Sequence, residues 1–159
     1  MRPQGDYILN TVATNLITRY VPEMVSDHGK AELGLMSVLL MAVSEEFDRA
    51  AHRRIEENRA LGKLFAESLP VVKDDDLKHR LETASKKETT DWRISSLDQL
   101  NCEQIELLIE LHAHIETLAD EEARTLEAAI WQELKDYSRR REFMLWALSQ
   151  AMMAAAQQG

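Results

Sequence analysis

Apolar residues recur at spacings of three and four along almost the whole chain, the periodicity of helices that turn one face inward. The first such stripe passes through Ile8, Leu9, Val12, Ala13, Leu16, Ile17, Tyr20, Val21 and Met24. Asp6 is placed to cap it, and Pro22 to kink or end it. Ser26-Asp27-His28-Gly29 reads as a turn. A second stripe runs through Met36, Leu40, Val43, Phe47, Ala51, Ile55, Asn58, Leu61, Phe65 and Leu69. It predicts a helix over residues 30–69 that Pro70 closes.

Asp74-Asp75-Asp76 is an acidic start for a short third helix ending near Lys87. The stretch from Lys86 to Ile94 is polar around Trp92 and reads as a connector. Ser95 with Asp98, and Ser96 with Gln99, have capping-box spacing. A further stripe takes Leu97, Leu100, Ile105, Leu108, His112, Ile115 and Ala119 inward. The register continues through Leu126, Ile130, Leu134, Tyr137, Leu145, Leu148 and Met152. This predicts one very long helix or two helices parted near Ala119–Glu121. A compact domain favours the break, with Asp120 as the second cap.

No glycine or proline occurs between Val71 and Gln158. Hairpins and sandwiches need turn residues every 8–12 positions, so the fold class is all-α. The expected architecture is an antiparallel bundle of four to five helices with one or two very long helices, formed by residues 1–159 as a single domain.

Helix length then bears on assembly. A 40-residue helix is about 60 Å long, whereas a compact chain of this size is roughly 40 Å across. Leu33 to Val43 is apolar around the whole circumference, and so is Phe143 to Leu148. Such segments need cover on every side. A homodimer is therefore favoured over a monomer, with Leu35, Leu39, Phe143 and Trp146 as interface residues.

Charge and composition narrow the function. The formal net charge is −9, and the Arg139-Arg140-Arg141 run spreads around a helix rather than forming a patch. Nucleic-acid binding, which needs a concentrated basic face, is disfavoured. No charge-free apolar run reaches the roughly 20 residues of a membrane span, and Met1–Gly5 has no apolar leader region. The single cysteine, Cys102, forms no internal disulfide, which fits a reducing compartment. A cytoplasmic location is expected. Glycine-rich phosphate loops and nucleophile elbows are missing, and no cofactor is expected.

The candidate chemistry is sparse. His-x-x-x-Glu pairs occur at His28/Glu32, His52/Glu56 and His112/Glu116, sharing a helix face in each case. The Glu-x-x-His pairs of ferritin-like bundles do not occur, nor does the His-x-x-x-His found in hemerythrin-like proteins, so no metal site is expected. His112 is the one histidine squarely on an apolar stripe, where a bond to a neighbouring helix should satisfy it. With Glu116 it forms a candidate ligand-binding pair. Cys102 reads as a half-buried side chain rather than a nucleophile.

Charges also segregate. Glu103, Glu106 and Glu110 share one helix face, and Arg49, Arg53, Arg54, Arg59 and Lys63 lie on the long helix. The simplest expectation is that these faces meet and set register. A functional reading makes Arg49 and Arg53 part of an anion site. The sequence thus predicts a non-enzymatic helical bundle acting through protein–protein contact or as an accessory subunit. The alternative is a small-molecule-binding or catalytic bundle with a pocket near His112, lined also by Met36, Leu40, Phe47 and Trp146.

Overall fold

The computed structural model describes residues 4–143. The chain is all-α, with no strand among the described residues. Its helices are α1 (Gly5–Asn15), α2 (Asp27–Ser68), α3 (Asp75–Ser85), α4 (Ile94–Glu116) and α5 (Glu121–Arg140). The helix α2 has 42 residues. The described residues fall into two compact units, residues 4–50 with 142–143 and residues 51–141.

In the first unit, α1 is shorter than its apolar stripe. It gives way to a π turn at Leu16–Tyr20 and a 3₁₀ turn at Val21–Glu23. Pro22 supplies the reason: it lacks an N–H and its ring clashes with the carbonyl four residues back, so the ladder must widen or end there. Asp6 lies inside α1, and Gln4 precedes the helix without a side-chain cap.

The first half of α2 differs from its predicted orientation. Met36, Val43 and Phe47 are exposed, whereas Ser37 and Ser44 are buried. Ser44 Oγ donates to the Asp6 carbonyl of α1 at 2.6 Å, and Ser37 Oγ to the Leu33 carbonyl at 2.7 Å. Alongside them, Ala13 and Ala50 are buried. Small side chains thus occupy the inner positions, and the bulky apolar ones point out.

The second unit has a conventional core. Leu61, Leu64 and Phe65 of α2 pack with Leu77 and Leu81 of α3, with Leu107, Leu108, Leu111 and Ile115 of α4, and with Ala123, Leu126 and Ile130 of α5. Gly62 runs through α2 without ending it; a Cβ there would lie 3.4 Å from the Ser85 carbonyl at the end of α3. Pro70 follows the last turn of α2, as expected. Asp74 caps α3 by accepting from the Leu77 amide at 2.8 Å. The chain breaks between α4 and α5, and Asp120 caps α5 through the Ala123 amide at 2.9 Å.

The start of α4 departs from the capping-box expectation. The helix begins at Ile94, before Ser95 and Ser96. Asp91, in the connector, accepts instead from the Arg93 amide at 3.1 Å and the Ser96 hydroxyl at 2.7 Å. The Arg93 guanidinium, followed by the Ser96 bond, holds its carboxyl far below the usual range.

The acidic face of α4 meets different partners from those expected. Glu110 pairs with Arg80 of α3 at 2.6 Å, and Glu103 with Lys87 just beyond α3. The expected pairing of the α2 arginines with α4 occurs at one place, where Arg54 meets Asp98 as well as Glu57 of its own helix.

Candidate functional site

The most deeply buried charged side chain in the second unit is Glu57, which is 0% exposed. It accepts from Arg54 Nη1 at 2.7 Å and from Arg141 Nε and Nη2 at 3.0 and 3.1 Å. Arg141 follows α5 and stacks over the Tyr137 ring at 4.0 Å, also bonding its hydroxyl. The Tyr137 hydroxyl donates to Asn101 Oδ1 at 2.7 Å, and Asn101 Nδ2 to Asn58 Oδ1 at 2.9 Å. Asn58 Nδ2 then donates to the Leu97 carbonyl at 3.1 Å. Burial first, and the Glu57 charge second, raise the Tyr137 phenol above its ordinary range.

A buried carboxylate clamped by two guanidiniums and a chain of side-chain amides is satisfied where it stands. It braces α2 against α4 and the end of α5. Asn58 lies on the inward stripe that the sequence predicts, whereas nothing local in the sequence marks Glu57 beside it as buried. Asn101 and Gln104, three apart on α4 and both buried, were the complementary signal.

A different cluster forms where the end of α4 meets the start of α5. His112, Glu116 and Glu127 place one ligand atom each within 4.8 Å of one another. His112 Nε2 lies 3.8 Å from Glu116 Oε1, too far for a hydrogen bond. That nitrogen is buried and has no hydrogen-bond partner. The Trp131 ring, one turn beyond Glu127, meets the His112 ring edge-on at 5.2 Å between centroids and 90° between planes. The expected bond from His112 to a neighbouring helix is thus replaced by a ring contact. Sequence reading paired His112 with Glu116 and missed Glu127, which only the α4–α5 turn brings near.

The other candidates lie apart from this cluster. Arg49 donates to Glu45 and to the Glu142 carbonyl at 3.0 Å in the first unit. Arg53 lies 3.9 Å from Glu57 in the second. Leu35, Leu39 and Phe143 are exposed in the first unit, and Trp146 lies outside the described residues. Met36 and Phe47 are exposed there too, with Leu40 half-buried. Cys102 is exposed. His114 Nε2 accepts from the Lys73 amide at 3.2 Å and ties the α2–α3 connector to α4.

Two open clefts flank the second unit's core. One of about 450 Å³ lies between α3 and α4, over Arg80, Thr83, Lys87, Glu103, Gln104 and Leu107. The other, about 330 Å³, lies over Val71, Leu126 and Ala129 with Glu67, Glu121 and Glu122 at its rim. Neither is lined by His112. No known family model, curated protein or solved structure matches the chain. No helix among the described residues is long and apolar enough to cross a membrane.

Proposed function

We propose that the protein is a non-enzymatic, cytoplasmic helical-bundle protein that acts through protein–protein contact, with a homodimer built on α2 as its basic unit. The observation that carries this reading is the outward face of the first half of α2. Leu35, Met36, Leu39, Val43 and Phe47 fall within an arc of about 120° at 100° per residue. Leu35 is 61% exposed, Leu39 56% and Phe47 61%. Together the five leave on the order of 500 Å² of apolar side chain open to water, judging from their exposures and typical side-chain areas. That lies in the upper part of the roughly 300–600 Å² spanned by a monomer's largest patch, a size class that is often functional.

Charge favours a second copy of this chain as the occupant. Residues 33–44 carry no charged side chain, so two such faces meet without burying an ion. The missing lysines and arginines also make the face a poor match for an anionic lipid surface. A two-fold pairing of one helix with its own copy is the simplest closed arrangement.

The test is substitution on that face. Leu35→Glu and Leu39→Glu should each weaken self-association at least tenfold in light scattering, because each buries a carboxylate against apolar neighbours. Trp92→Glu, at an exposed site in the second unit, should leave it unchanged. Equal association in all three variants would remove the α2 face from the interface.

A further inference from the structure

The His112, Glu116 and Glu127 cluster contains an imbalance that the rest of the fold does not resolve. Two carboxylates converge, yet among the described residues neither pairs with a lysine or arginine; Glu116 has only the distant His112. No lysine or arginine lies between Arg93 and Arg124, and Arg124, one turn before Glu127, pairs with Glu121 instead. His112 Nε2 is buried without a hydrogen-bond partner, an arrangement that native structures ordinarily avoid. A cation held between the three groups would answer both deficits.

We propose that His112, Glu116 and Glu127 bind a divalent first-row transition ion of the zinc class. The donor set is one imidazole nitrogen and two carboxylate oxygens, a combination that suits zinc-like ions better than magnesium or calcium, which prefer all-oxygen shells. The ligand atoms lie within 4.8 Å of one another. Ligands at ~2.0–2.2 Å from zinc stand roughly 3.3 Å apart in a tetrahedron, so the site closes by side-chain rotation of about 1 Å. Glu116, with a side chain 60% exposed, is free to make that movement.

The surroundings favour a built site over a chance encounter. His112 and Glu116 are one turn apart on α4, and Glu127 and Trp131 one turn apart on α5. The two pairs face each other across the hairpin, and the edge-on Trp131 contact fixes the plane of the imidazole. Three protein ligands leave a fourth position for water or an external ligand. A bound ion would also bolt the end of α4 to the start of α5.

The probe is Co²⁺ alone, added to the purified full-length chain after chelator treatment, with Zn²⁺ as competitor. One Co²⁺ per chain should bind, with the visible absorption of a four-coordinate site, be displaced by Zn²⁺, and quench Trp131 fluorescence. Glu127→Gln and His112→Gln should each lower affinity at least tenfold. Glu116→Gln, at a more exposed position, serves the same purpose if either of those perturbs the helical circular dichroism. Trp131→Phe should abolish the quenching while Co²⁺ still binds. His52→Asn, on an exposed pair with Glu56, should change nothing. Failure to bind Co²⁺ at ~100 µM, far above the affinity of structural sites, would overturn the proposal, as would binding that survives all three ligand substitutions.

Discussion

Replacing Glu57 by glutamine should be the most damaging single polar change in the second unit. The carboxylate is fully buried and accepts three charge-assisted bonds from Arg54 and Arg141 at 2.7–3.1 Å. Glutamine keeps the shape and one acceptor oxygen but removes the charge, and it turns an NH₂ group towards a guanidinium. Breaking a buried pair by removing one partner costs about 3–5 kcal/mol. Here the stranded cations keep other contacts: Arg54 has Asp98, and Arg141 has Asn101 and the Tyr137 ring. That places the expected loss near the lower end, about 3 kcal/mol, a large part of the 5–15 kcal/mol that stabilises a typical domain. Urea unfolding followed by far-ultraviolet circular dichroism reads it as a lower midpoint at unchanged slope. Combining Glu57→Gln with Arg141→Met should cost less than the sum of the two, because the double change no longer leaves Arg141 without its carboxylate. A Glu57→Gln loss below about 1 kcal/mol would refute the reasoning, since losses that small are usual for exposed pairs.

Three further outcomes follow from individual residues. The Tyr137 phenol is raised by burial and by Glu57, so the folded state holds its proton more tightly; the stability this gives is full below about pH 10 and is lost as pH rises through the folded pKa. Ultraviolet titration should show a tyrosine phase above the ordinary phenol range that Tyr137→Phe removes; a profile that the substitution leaves unchanged in shape would contradict it. Asp120 is lowered by its bond to Lys73 and then by the Ala123 amide, so its contribution is present above the unfolded carboxylate pKa and disappears as pH falls through the folded one. Asp120→Asn, which keeps the cap, should therefore flatten the loss of stability below about pH 4, and an unchanged acid profile would count against the Lys73 contact. Gly34 sits within α2 with open space where a Cβ would go, so Gly34→Ala should raise stability by about 1 kcal/mol in thermal unfolding; a destabilised variant would show that something occupies that space.

The helical architecture was legible because its signals are local. Missing turn residues after Pro70, a cap at Asp120 and a proline at position 22 each act within a few residues of themselves. Inward orientation was less legible where two faces compete. In α2 the large residues Met36, Val43 and Phe47 form a good stripe, yet Ser37 and Ser44 take the inner positions, and a serine bond to the Asp6 carbonyl depends on another helix. Glu57 shows the same limit: its burial depends on Arg141, 84 positions away. The His112 cluster was half legible, since His112 and Glu116 share a turn, whereas Glu127 belongs to the next helix and enters through the hairpin geometry alone.

Sedimentation equilibrium of the unaltered chain over a wide concentration range bears most directly on the account. Pairing through the outward face of α2 predicts a mass of twice 18.2 kDa at micromolar concentration, shifting towards the single-chain mass in Leu39→Glu. A species of 18.2 kDa at every concentration, with Leu35 and Leu39 left in water, would contradict it.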